Sequence, residues 1–233
     1  MLRPTWPSSK KDAAFGPDLV AALRAWRRHP FLPALSLLVW AAPALLPSES
    51  PWDIVGVALA VLLVGYPGTE RIWYQRAFVG QAMSPREIWR SLWRFFWPFL
   101  RLAILVGLLM IMVFLPVQLT FPENERALVV VLTLSFLLAD VALTFVVPAL
   151  TFSTGKVREA ARIGLGMIRH QWPDSAWYAL TPPLAVLVLV RAPIVFGRLG
   201  SIGRFATAIG ATLMSLAFKG AIARFFLMRT ERT

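Results

Sequence analysis

The chain of 233 residues is 58% hydrophobic and only 15% charged, against about a quarter charged in an ordinary soluble domain. A water-soluble fold of this size has no means of hiding that much apolar surface. The formal net charge is +12 and there is no cysteine, which excludes disulfides, thiolate catalysis and cysteine metal sites.

The apolar residues fall into six blocks, Phe31–Leu46, Ile54–Tyr66, Phe99–Thr120, Ala127–Phe152, Ala176–Phe196 and Phe205–Met228. With a rise of about 1.5 Å per residue, a membrane span needs about 20 apolar residues. The last four blocks meet or approach that length. The first two are shorter and interrupted by Pro33 and Pro43, with Pro67 just beyond, so residues 31–66 are either two short spans or a re-entrant hairpin. Glu49, Trp52 and Asp53 between them suit an outer interface better than mid-bilayer, which favours two spans. About thirty basic and polar residues precede the first block, too many for the n-region of a cleaved signal peptide, so this block is expected to stay in the membrane.

The fold class that follows is all-α: a polytopic integral membrane protein with about six transmembrane helices in one domain. The cations orient it. Of 24 Lys and Arg residues, 20 lie in the segments that alternate onto one side, which puts both termini in the cytoplasm. Because they cluster at block ends, their expected partners are anionic lipid headgroups and not nucleic acid.

A unit of about seventy residues recurs. Leu23 to Pro30, Leu92 to Pro98 and Met167 to Pro173 each place an Arg shortly before a proline and an apolar block. The predicted organisation is three repeats of interfacial helix plus helical hairpin. It divides into an N-terminal segment 1–30 with an amphipathic helix, a first hairpin 31–66, a second unit 84–152 and a third 154–228. With this repeat, the run from Phe145-Val146-Val147-Pro148 to Ser153, then Glu159-Ala160-Ala161-Arg162 and Trp172-Pro173, the chain resembles a loose group of bacterial six-helix membrane proteins. That group includes the membrane-embedded domain attached to some glycerophosphodiester phosphodiesterases. The resemblance implies a bacterial cytoplasmic membrane and an anchoring or partner-binding role, and it does not carry the phosphodiesterase activity over.

Ser84-Pro85-Arg86-Glu87 is a capping box with Pro at the first helical position. Arg86, Arg90, Arg94 and Arg101 then share one helical face beside Trp89 and Trp93, with Trp97 among the arginines, provided Pro98 keeps the phase. A basic stripe beside aromatics belongs in the headgroup layer, either as a topological anchor or as a site for anionic lipid or a partner's acidic surface.

Asp140 lies near the centre of the fourth block, where an ionisable group is costly. By depth its expected partner is Lys219, the two lying about 20 and 24 Å from the outer ends of their helices. The pair serves either as an interhelical tether or as part of a relay or substrate path; alternatively Asp140 is protonated and bonded to a neighbouring helix. Arg191, Arg198 and Arg204 face outward, as snorkelling anchors or as an outer basic cluster for a lipid phosphate or partner loop. Pro182-Pro183 is expected to bend or break the fifth helix. His29 and His170 read as solvated interface residues, and no metal or other cofactor is expected.

Phosphate-binding glycine loops, Gly-x-Ser-x-Gly, His-Glu-x-x-His and paired intramembrane carboxylates do not occur, which disfavours an enzyme. The expected function is a non-catalytic membrane component, a subunit, anchor or assembly factor that binds anionic lipid and another membrane protein. The alternative is a small transporter or lipid-handling permease using Asp140 and Lys219.

Overall fold

A computed structural model describes residues 15–41, 61, 63–120, 125–185 and 200–230. All regular structure among them is helical. Helix α1 (Phe15–Arg28) has Asp18 in its first turn and Arg27 and Arg28 in its last, signs that suit the helix dipole. A short turn at His29 and Pro30 leads into α2 (Phe31–Ala41).

A single 3-10 turn, Leu63–Gly65, precedes α3 (Tyr66–Phe78), whose first turn carries Pro67. Just past the end of helix α3, Gly80 has φ of 76°, the left-handed region where glycine alone is unstrained. There the Gly80 N–H donates to the Ala77 carbonyl at 3.1 Å and the Gln81 N–H to the Arg76 carbonyl at 2.9 Å.

Helix α4 (Pro85–Thr120) opens with the capping box read from the sequence. The Ser84 N–H donates to Glu87 Oε2 at 2.9 Å, and the Glu87 N–H reaches back to Ser84 Oγ at 3.4 Å. Arg76 closes on Glu87 Oε1 at 2.7 Å and so ties α3 to the start of α4. Helix α4 runs on through Pro98 and Pro116 as one element of 36 residues. Pro98 therefore does not divide an interfacial helix from the apolar block as the predicted repeat requires, whereas His29-Pro30 and Trp172-Pro173 do separate helices. At about 1.5 Å per residue, α4 measures about 54 Å, well beyond a hydrocarbon core of about 30 Å. Part of it must project into the headgroup layer or past it.

Helix α5 (Glu125–Phe152) returns alongside, and α6 (Val157–His170) follows, with Lys156 at its N-cap position. The Thr154 hydroxyl donates to Glu159 Oε2 at 2.6 Å. That bond, with the Lys156 ammonium nearby, holds the Glu159 carboxyl below the usual glutamate range. Helix α6 lies against α5 so closely that a Cβ at Gly164 would stand 2.7 Å from the Phe145 carbonyl carbon. After the turn, α7 covers residues 176–185 and continues across Pro182 and Pro183, and α8 (Gly200–Thr230) closes the bundle.

Among the described residues, three helical segments are long and apolar enough to cross a membrane: Pro85–Thr120, Leu128–Phe152 and Ile209–Thr230. Their packing is uneven along their length. The buried side chains of α4 are Ile88, Ser91, Phe95, Phe99 and Leu102, spaced three and four apart in its first half. They meet Phe145, Ala149 and Leu150 from the end of α5, and Phe225 and Phe226 from the end of α8. A second group, Ala22, Leu32, Trp73, Tyr74 and Leu216, joins α1, α2, α3 and α8. The core thus sits at the end of the bundle where α4 begins and α5 and α8 finish. Towards the opposite end Leu108, Ile111, Met112, Leu119, Val129 and Leu138 are exposed.

Candidate functional site

The sixth apolar block holds Lys219, and the chain places a carboxylate against it that differs from the expected one. Lys219 Nζ lies 3.2 Å from Glu70 Oε2, and the Glu70 side chain is completely buried. Asp140 forms no salt bridge among the described residues, so the expected Asp140–Lys219 contact is replaced by Glu70–Lys219. Glu70 belongs to α3, which the hydropathy pattern assigned to a connection between hairpins.

Spacing within α3 accounts for its role. Tyr66, Glu70 and Tyr74 recur every four residues and share the buried face of the helix. Ser36 Oγ of α2 donates to Glu70 Oε1 at 3.0 Å. Having given its only proton, this hydroxyl must accept from the Tyr66 hydroxyl, 2.7 Å away. Trp26 Nε1 donates to the Tyr74 hydroxyl at 2.6 Å, and that hydroxyl donates to the Leu216 carbonyl at 2.8 Å. Two hydrogen-bonded chains thus pin α1 and α2 to α8 through α3. Close approach is possible because residue 220 is glycine: a Cβ there would meet the Tyr74 ring at 2.5 Å and the Ala22 methyl at 2.7 Å.

Beside the Glu70–Lys219 pair lies a cavity of about 380 Å³ between α3, α5, α7 and α8. Arg71, Asp140, Thr144, Ser215 and Lys219 supply its polar lining, and Pro67, Leu143, Val147, Pro182, Met214 and Phe218 much of the rest. Asp140 and Lys219 therefore do share a cavity, although they do not touch as an ion pair. Both Asp140 and Arg71 are within electrostatic reach of Lys219. Arg71 is 5% exposed, and its Nη1 donates to the Pro67 carbonyl at 2.9 Å. Its Nε has no hydrogen-bond partner among the described residues. Asp140 is the exposed charge of the lining.

A further buried carboxylate, Asp18 of α1, accepts from the Tyr178 hydroxyl at 2.6 Å and from Arg224 Nη1. With Asp174 and Arg229 at 2.6 Å, it fastens α1 and the start of α7 to the end of α8. Both Asp18 oxygens are thus met, one by a hydroxyl and one by a cation, and the cluster joins three helices as a clasp.

The residues read as a headgroup stripe are all on the surface. Arg86, Arg90, Arg94 and Arg101 are exposed along α4, beside exposed Trp89, Trp93 and Trp97. Trp89 and Trp93 stack edge to face with centroids 5.7 Å apart, and the Arg94 guanidinium lies 5.4 Å from the Phe95 ring centroid. Of the outer basic cluster, Arg191 and Arg198 lie outside the described residues, and Arg204 is described only as backbone within α8. No cluster of three metal-ligating side chains occurs among the described residues, and His29 and His170 are far apart in the chain on separate elements. No family model, curated protein or solved structure matches the chain.

Proposed function

We propose that the chain is a multi-pass, non-catalytic membrane protein whose working site is the chamber lined by Arg71, Asp140 and Lys219, a small lipid-handling permease or transporter. Six spans with both termini in the cytoplasm, in a bacterial cytoplasmic membrane, form the topology that goes with this reading. The observation that carries it is the placing of three charged side chains from three helices around one cavity. A structural tether has no need of a cavity, because buried ion pairs stabilise only when well packed and fully hydrogen-bonded. Glu70 accepts from Ser36 and lies 3.2 Å from Lys219, whereas Arg71 and Asp140 form no ion pair among the described residues and are left facing the cavity. Much of the remaining lining is apolar, which suits an amphiphile better than a bare ion.

Proteoliposomes containing phospholipids with fluorescent headgroups test the reading by quenching of the outer leaflet. The chain should accelerate exchange between leaflets, and Arg71→Gln or Asp140→Asn should slow it. Exchange no faster than in protein-free vesicles would end the permease reading.

A second reading, a subunit or anchor that binds anionic lipid and another membrane protein, draws on the exposed Arg and Trp stripe of α4. Stoichiometric copurification of another membrane protein, without leaflet exchange, would favour it.

A further inference from the structure

We infer that the chamber takes a zwitterionic headgroup, its anionic end on Arg71 and its ammonium end on Asp140. The inference rests on the permease reading of the same cavity and adds the class of ligand. Three ionisable side chains line the cavity and a fourth, Glu70, lies behind it, but they are not equivalent. Glu70 is fully buried behind the lining, 3.2 Å from Lys219 Nζ, with Ser36 on its other oxygen, so this ion pair is formed without a ligand. What the cavity offers beyond that pair is one guanidinium and one carboxylate. No salt bridge joins either of them to another described residue.

The guanidinium is the committed half. Arg71 is nearly fully buried, its Nη1 is fixed by the Pro67 carbonyl, and its Nε remains without a partner. A planar guanidinium with donors to spare selects phosphate or carboxylate oxygen. An anion alone would add an uncompensated negative charge to a site whose four side chains already sum to zero. A ligand that also carries an ammonium keeps the site neutral, and Asp140 is the exposed carboxylate on the same lining. Ser215 provides a hydroxyl in the lining for one of the remaining oxygens, whereas the Thr144 hydroxyl is committed to the Asp140 carbonyl at 2.9 Å. Leu143, Val147, Met214 and Phe218 provide the surface for hydrocarbon, so the source of the zwitterion is a lipid and not a free solute.

The test is calorimetric titration of the full chain in a non-ionic detergent with dihexanoyl phosphatidylethanolamine, dihexanoyl phosphatidylglycerol and phosphoethanolamine. The zwitterionic lipid should bind at least about ten-fold more tightly than the anionic one, the effect of one charge-assisted contact. Asp140→Asn should erase that preference while leaving the anionic lipid bound. This exposed residue is outside any salt bridge among the described residues, so its replacement is not expected to unfold the protein. Arg71→Gln should weaken both lipids. Equal affinity for the two lipids, or an unchanged preference in Asp140→Asn, overturns the zwitterion inference and leaves the permease reading standing. Absence of binding by either lipid overturns both. Phosphoethanolamine binding as tightly as its lipid would keep the zwitterion and overturn the lipid as its source.

Discussion

The two ends of the helical bundle solve different problems with similar helices. Towards the end of α8, Leu216 to Met228 are almost all buried, and charged residues are accepted there because each has a partner: Lys219 with Glu70, Arg224 with Asp18. In the second half of α4 and the first half of α5, apolar side chains point outward with few neighbours. Of the three candidate spans α8 is the least apolar and the most buried. The difference teaches that in a membrane the most hydrophobic helix is the one that faces lipid, whereas polar residues mark the one that faces protein.

The sharpest way to break that comparison is to strip one partner from the buried pair. Lys219→Met takes the ion-pair cation away from the buried Glu70 carboxylate, and Glu70→Gln takes the buried carboxylate away from the ammonium. Each should cost about 3–5 kcal/mol, read as a large fall in melting temperature in detergent. The double substitution should cost less than the sum of the two, because no charge is then left uncompensated. Asp140→Asn should change stability little, and strict additivity at Glu70 and Lys219 would show that they are not coupled.

A smaller effect contrasts packing at the two ends. Gly220→Val would drive a side chain into Tyr74 and Ala22 and should cost about 1–3 kcal/mol. Leu109→Ala on the bare half of α4 should stay within about 0.5 kcal/mol, as is usual for surface sites. Similar losses at both positions would mean that another surface covers the outer half of α4.

At the stripe the expected effect is on binding and not on folding. Arg86→Gln, Arg90→Gln and Arg94→Gln together should weaken retention of anionic lipid in native mass spectrometry, each charge being worth about 1 kcal/mol near an anionic surface. The melting temperature should hold. A fall in stability with unchanged lipid retention would assign these arginines to the fold.

The smallest effect is at the α5–α6 junction. The Glu159 carboxyl is held below the usual glutamate range by the Thr154 hydroxyl and by Lys156. A depressed carboxyl contributes stability above its unfolded pKa and loses it as pH falls through its folded value. Thr154→Ala should therefore flatten the acid side of the stability profile slightly, and an unchanged profile would show that the Thr154–Glu159 hydrogen bond contributes nothing there.

Much of this fold was legible from local pattern. The Ser84 to Glu87 box, the exposed Arg and Trp stripe and the three long apolar helices all depend on spacings within a few turns of one helix, and each stands where its spacing puts it. Pro98 misled, because a proline within the first half of a long packed helix is tolerated when Phe95 and Phe99 hold both sides of it in the core. The chamber was half legible. Asp140 and Lys219 were flagged by their cost in an apolar block, and they do line it. Glu70 and Arg71 were not, since they fall between blocks, although the four-residue spacing of Tyr66, Glu70 and Tyr74 was available as a signal.

The sequence by itself determined that the chain is helical and carries helices fit for lipid, because hydropathy, caps and helical periodicity act over distances that the chain spans locally. Only the tertiary structure decided which carboxylate meets Lys219. Depth along a helix narrows the candidates, but it does not say which faces of distant helices turn toward one another. That choice was made by the packing of α3 on α8, where Gly220 admits Tyr74 and brings Glu70 within 3.2 Å of the ammonium.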